Sequence, residues 1–232
     1  MKYTTLLMDA DDTIFDFPKC EYNALKNAFI KNGFDFTQAL SEKFSEINDS
    51  LWKKFEKGQI ERSELRVERF KLTCEYFNMC SDSAKINTLA DTYVNELSQQ
   101  AILIDGAYDA VEKISRMSDV YIITNGLSVV QRGRFGKSPV TKLLKDIFIS
   151  DEAGVQKPQK EFFDIVFEKI PEKDKSKILV VGDSLTSDMQ GGRNAGLDTC
   201  VYDPKNKISM PNDLCDYKIT KLEDVCTIIK GE

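Results

Sequence analysis

The chain has 232 residues, 41% of them apolar, which is enough for a substantial core and too many for a disordered chain. Its 32 Lys and Arg against 38 Asp and Glu leave a formal charge of −6, so no basic excess is available for a nucleic-acid polymer. It contains no histidine, which excludes Ser-His-Asp and Cys-His catalysis and leaves acid–base work to carboxylates, Lys, Tyr or Cys.

Tyr3 to Met8 is the first strand candidate, an apolar run halted by Asp9, Asp11 and Asp12. From about Pro18 to Gln100 the pattern is helical. Tyr22, Leu25, Ala28 and Phe29 belong to a helix ending near Gly33. Leu40, Phe44, Ile47, Leu51 and Phe55 recur at helical spacing, and Gly58 is their stop signal. Leu65, Phe70, Cys74 and Phe77 predict a third helix. Ile86, Leu89, Tyr93 and Leu97 predict a fourth, with Asp82 or Ser83 as its N-cap. Together they read as a small bundle.

The pattern then changes. A helix holding Val111, Ile114 and Met117 leads into a strand from about Val120 to Thr124. Apolar runs in DIFIS, KILVVGD, DTCVYD and DYKIT alternate with helical PQKEFFDIVFEKI, SDMQGGRNAG and KLEDVCTIIK. Alternation of this kind predicts an α/β fold, a Rossmann-like and mostly parallel sheet flanked by helices. The expected organisation is a core from residues 1–16 and 104–232, with an all-helical domain, 17–103, inserted after the first strand.

No run of about 20 apolar residues exists to span a membrane. The opening apolar run is too short for a signal peptide. The six cysteines show no C-x-x-C pair and fit reduced thiols, so a cytoplasmic location is expected.

Ligands of open parallel sheets bind at the carboxyl ends of the strands. Asp9 and Asp11 follow the first strand, Thr124-Asn125-Gly126 the second, and Gly182-Asp183 the KILVV strand. One aspartate after a strand is ordinarily a turn residue; several on one edge favour a site. If the chain stays extended, Asp9 and Asp11 face one centre. Carboxylates so close need a cation, and Mg²⁺ suits them, with Asp183 as a further ligand and Asp188 supporting. Thr124 can donate a hydroxyl and the Asn125-Gly126 turn its N–H groups to an anion. Lys157, just ahead of a helix expected to start at Pro158, would balance Asp9 and a phosphate together.

The motifs DADDT (Asp9 to Thr13), ITNG (Ile123 to Gly126), QKP (Gln156 to Pro158) and VGDSLTSD (Val181 to Asp188) resemble, in order, those of the haloacid dehalogenase superfamily. The wording MDADDTIFDF and GLDTCVYDP is similar to its pyrimidine 5′-nucleotidase branch. The resemblance implies a Mg²⁺-dependent phosphomonoester hydrolase working through an aspartyl-phosphate. Asp9 would be the nucleophile and Asp11 the general acid and then base. Thr124, Asn125 and Lys157 would bind the phosphoryl group. Asp9, the main-chain carbonyl of Asp11, and Asp183 would hold Mg²⁺, with Asp188 behind them. The helical insert would be a cap, and the partner a small phosphorylated substrate, a nucleoside monophosphate, on a monomer or weak homodimer.

One departure is GRFGKSPVTKLLKDIF, where Ser138-Pro139 stands in place of the Ser-Gly turn usual in that branch. Gly133 and Gly136 lower helix propensity there, and the part played by Arg132 or Arg134 is left open. The alternatives are a phosphatase of phosphoglycolate or a sugar phosphate, a phospho-accepting signalling domain, and a dehalogenase on the same fold. Phe17, Tyr22 and Trp52 are candidates for stacking on a base, against the plainer reading that they are bundle core.

Overall fold

The computed structural model describes residues 1–80 and 82–231. In chain order, β1 (Thr5–Met8) precedes four helices, α1 (Phe17–Lys31), α2 (Gln38–Glu56), α3 (Arg62–Tyr76) and α4 (Ser83–Ser98). There follow α5 (Ala107–Ser115), β2 (Asp119–Thr124), α6 (Ser128–Lys137), β3 (Asp146–Ile149), α7 (Ser150–Ala153) and α8 (Lys160–Lys169). The chain ends with β4 (Ile178–Gly182), α9 (Gln190–Ala195), β5 (Asp198–Tyr202), β6 (Tyr217–Ile219) and α10 (Val225–Lys230). Two compact units result: Met1–Phe17 with the chain from Ala101 onward, and Pro18–Gln100.

The first unit is the α/β fold its alternating pattern predicts. Its six strands run in the order β3-β2-β1-β4-β5-β6, and every pairing is parallel. Successive side chains of a strand point to opposite faces, so a strand covered on both sides must be apolar throughout. β1 and β4 are buried at every position, and Thr5 is the one polar residue in either. Leu6, Met8, Val120, Ile122, Leu179 and Val181 share one face with Val111 and Ile114 of α5 and Val225 and Ile229 of α10. Leu7, Tyr121, Ile123, Ile178 and Val180 share the other with Phe162, Phe163 and Val166 of α8 and Ala195 of α9. Truncating one such buried phenylalanine to Ala would cost about 3–5 kcal/mol.

Register decides where the site can be. Met8 lies opposite Ile122 on one side and Val181 on the other, so β2 runs two residues and β4 one residue past the end of β1 at the same edge of the sheet. Strand order reverses across β1 and β4, which opens a crevice at their carboxyl ends.

The second unit is the four-helix block. Phe44, Phe70 and Tyr93 meet at its centre with ring centroids 4.9 to 5.5 Å apart. Asp82 is the N-cap of α4, accepting from the Ala84 and Lys85 N–H groups. Tyr22 packs edge-on against Phe36 at 5.3 Å, and Trp52 against Phe55 at 5.5 Å, so both are held by bundle neighbours. Phe17, at the start of α1, is half-buried. No helix among the described residues is long and apolar enough to cross a membrane.

Candidate active site

The chain does not stay extended after β1. Asp9 N–H still donates to the Val181 carbonyl at 2.8 Å, continuing the sheet by one residue. The Ile14 and Phe15 N–H groups then both donate to the Ala10 carbonyl, and Asp12 N–H donates to that of Phe15. Asp12 sits at φ 58° inside this tight turn, a left-handed conformation that short polar side chains tolerate. Asp12 is thus part of the turn itself.

Around this turn the two carboxylates meet different partners. The Asp9 carboxylate is buried and points into the crevice. The Asp11 carboxylate turns to α6, where it forms an ion pair with Arg134 through one oxygen and accepts from Gln131 Nε2 at 2.7 Å through the other. The main-chain carbonyl of Asp11 takes no part in the turn's own bonds, which use the carbonyls of Ala10 and Phe15.

Asp183 and Asp188 come from the loop after β4. Rather than opening a regular helix, the chain makes a wide π-type turn over Leu185–Met189 before α9. Ser184 closes it: its hydroxyl accepts from Ser187 N–H, and its own N–H donates to Asp188 Oδ2 at 3.1 Å. Asp188 is thereby folded back against Gly182. A Cβ on Gly182 would lie 2.3 Å from Asp188 Oδ2, so only glycine permits the approach. Asp9, Asp183 and Asp188 each offer an oxygen, and these oxygens lie within 4.8 Å of one another. Asp188 thus lies close beside Asp9 and Asp183, with both of its oxygens already accepting hydrogen bonds.

Lys157 is buried and its ammonium is fully used. It donates to Asp9 Oδ1 at 2.6 Å, Asp188 Oδ1 at 2.6 Å and the Ile123 carbonyl at 2.8 Å. Its main chain is gripped by the Asn125 amide, which accepts from Lys157 N–H and donates to Lys157 carbonyl, each at 2.9 Å. Asn125 therefore fixes the lysine's backbone. That grip also delays the next helix. Residues Lys157 and Pro158 form a turn, Gln159 is the cap, and α8 starts at Lys160 instead of Pro158. Thr124 is buried, with its hydroxyl accepting from Gly126 N–H at 3.1 Å.

Charge explains the chemistry this set can do. Asp9, Asp11, Asp183 and Asp188 share two cations, Lys157 and Arg134. Burial pushes the Asp9 carboxyl up to about 8; Lys157 opposes the shift, and the charges of Asp188 and Asp11 add to it. Asp183 is also raised well above the ordinary range, by burial and then by Asp9 and Asp188. For Lys157, burial acts to lower the pKa, but the carboxylates of Asp188 and Asp9 outweigh it and hold the ammonium charged. The site is short of positive charge and lined with hard oxygen donors. A divalent cation of the Mg²⁺ type fits both facts.

Gln131 and Arg134 are the partners that the motifs did not reveal. They sit three residues apart on α6, one helical face, directly after the Thr124-Asn125-Gly126 loop. Two long polar residues at i and i+3 beside buried Val130 and Phe135 were the available signal. Arg132, by contrast, pairs with Glu152 at 2.7 Å in a half-exposed contact. The helix itself is ten residues long and gives way at Ser138, whose hydroxyl caps the short turn Pro139–Leu143.

A family model of haloacid dehalogenase-like hydrolases matches residues 6–202. The chain is similar to the HAD-hydrolase YfnB of Bacillus subtilis. The crystal structure of YfnB bound to magnesium superposes with a TM-score of 0.91 at 39% identity, covering 99% of each chain. It is also 34% identical to pyrimidine 5′-nucleotidase PynA of Streptococcus pneumoniae, over 97% of this chain and 94% of PynA. Pyrimidine 5′-nucleotidase YjjG of Escherichia coli is 32% identical over 86% of each chain.

Proposed function

The chain belongs to the haloacid dehalogenase-like hydrolase family, and from that premise we propose that it is a Mg²⁺-dependent phosphomonoester hydrolase, a 5′-nucleotidase of pyrimidine nucleoside monophosphates. The observation that carries the reading is the close grouping of Asp9, Asp183 and Asp188 around buried Lys157. The similarity to PynA and YjjG supports the pyrimidine nucleotide as substrate.

In this mechanism an oxygen of Asp9 attacks phosphorus, and the bond to the ester oxygen breaks. Asp11 gives its proton to the departing oxygen. Asp11, now a carboxylate, takes a proton from water as that water attacks the aspartyl-phosphate. The bond to Asp9 breaks, and inorganic phosphate leaves with Asp9 restored. Asp9, Asp183 and the Asp11 carbonyl are the residues that would hold the metal, with Asp188 against them. A cation held there would supply neutralisation of phosphoryl charge. Lys157 holds Asp9 and Asp188 in place and offsets their charge, and Thr124 is the phosphoryl donor. Leaving-group selection is assigned to the helical unit as the cap.

The dehalogenase alternative has no use for an acidic cluster that wants a divalent cation. A signalling domain would need neither a helical unit nor an acid–base residue beside the nucleophile. A panel of UMP, dUMP, dTMP, purine monophosphates, phosphoglycolate and sugar phosphates, assayed with Mg²⁺ and with EDTA, tests the reading. Preferred release of phosphate from the pyrimidine nucleotides, lost in EDTA, is expected. Equal rates across the panel would remove the pyrimidine assignment, and full activity in EDTA would remove the metal.

A further inference from the structure

Asp11 is held, and what holds it is buried. Arg134 has no exposed surface and Gln131 is 1% exposed. Each supplies one donor to a different oxygen of the Asp11 carboxylate. The Arg134 guanidinium lies over the Phe15 ring, 4.2 Å from its centroid, and Phe15 in turn meets Phe135 edge-on at 4.9 Å. The arginine is thus clamped between the turn that follows β1 and the helix that follows β2. Gln131 is placed at some expense: its Oε1 is buried with no hydrogen-bond partner, so the bond to Asp11 is what orients the amide. Its position also depends on Gly126, because a Cβ there would fall 2.3 Å from Gln131 Nε2.

We propose that Arg134 and Gln131 are positioning residues that lock the Asp11 carboxylate in the orientation from which it exchanges a proton with the leaving oxygen. The inference rests on Asp11 as the general acid. Two donors on the α6 side leave the remaining lone pairs of the half-buried carboxylate for substrate and water. A general acid must lie within hydrogen-bond reach of the atom it protonates. A carboxylate free to change rotamer would lose that reach for much of the time, and a misplacement of about 1 Å can lower a rate about 100-fold.

The test compares two phosphomonoesters of similar size in the presence of Mg²⁺. Benzyl phosphate leaves as an alcohol and needs a proton; p-nitrophenyl phosphate leaves as a stable phenolate and does not. kcat/KM is the parameter to follow, since it runs only as far as leaving-group departure and ignores the second step. For Arg134→Gln and Gln131→Leu, the ratio of kcat/KM on benzyl phosphate to that on p-nitrophenyl phosphate is expected to fall at least about tenfold, and for Asp11→Asn about 100-fold or more. Gly126→Ala, whose methyl group would displace the Gln131 side chain, should shift the ratio in the same direction. A merely structural role would lower both substrates together, leave the ratio where it was and overturn the proposal. Gln131→Leu is close in volume and keeps the test in force if Arg134→Gln does not fold. An unchanged ratio in Asp11→Asn would instead overturn the acid itself and the proposal with it. A changed ratio there, with none in the α6 variants, would overturn the positioning alone.

Discussion

Lys157 stands between Asp9 and Asp188, with its ammonium 2.6 Å from one oxygen of each. Removing one member of such a buried set leaves uncompensated charge behind, at about 3–5 kcal/mol. Lys157→Met is therefore expected to lower Tm sharply in EDTA. Added Mg²⁺ should recover part of the loss, because the ion relieves the same carboxylates. Thermal unfolding of both proteins, with and without metal, measures this. An unchanged Tm in EDTA would mean that the carboxylates do not need the lysine.

The same crowding predicts an unusual dependence on pH. An ordinary Asp titrates near 3.9, whereas burial takes Asp9 up to about 8. Between those values the folded chain keeps a proton that the unfolded chain has lost. That contribution to stability is complete below about pH 4 and disappears as the pH rises toward 8. Asp9→Asn lacks the group. In EDTA, the wild-type Tm should fall relative to that of Asp9→Asn as the pH is raised from about 5 to about 9. Mg²⁺ should cancel the relative fall. Parallel curves in EDTA would contradict the raised carboxyl.

The parts legible from sequence share one property: their signal is local. Ile178 to Val181 is buried on both faces, and a continuous apolar run says so directly. Asp9 and Asp183 directly follow the neighbouring parallel strands β1 and β4, and a carboxylate at the carboxyl end of an apolar run is a local signal. What stayed hidden depends on long-range geometry. Asp11 meets Arg134 across 123 positions of the chain, and the glycines flanking Arg134 made its helix look weak. Nothing local says that Asn125 grips the backbone of Lys157 across 32 positions, and so the sequence pattern alone points to Pro158 rather than Lys160 as the start of α8. The turn after Met8 is hidden in the same way, because its bonds between Ala10, Asp12, Ile14 and Phe15 leave no mark on the alternation that an extended chain would show.

In the helical unit, Arg69 is buried over the Tyr93 ring at 4.7 Å and donates to Asn48, which donates to buried Glu21. The chain of polar contacts links α1, α2 and α3. Arg69→Met keeps most of the stem but removes the charge that partly offsets the burial of Glu21. A loss of about 2–4 kcal/mol in stability is expected. Glu21→Gln combined with Arg69→Met should lose less than the sum of the two single changes, which a double-mutant cycle in urea would reveal. Strict additivity would mean that the two ends are not coupled.

Gly182 offers the sharpest separation of stability from metal binding. It is the last residue of β4, and its missing side chain is the space that Asp188 occupies. In Gly182→Ala the Asp188 carboxylate must retreat from its contact with Ser184 N–H and from Lys157. Overpacking of this kind costs about 1–3 kcal/mol, which a domain of this size tolerates. The displaced oxygen belongs to the cluster with Asp9 and Asp183, so Mg²⁺ affinity should suffer more than the fold. A loss of about 10- to 100-fold in affinity is expected, read by calorimetric titration with Mg²⁺ alone, on protein whose circular dichroism matches wild type. Wild-type affinity in that variant would show that Asp188 can leave the cluster without consequence for the ion.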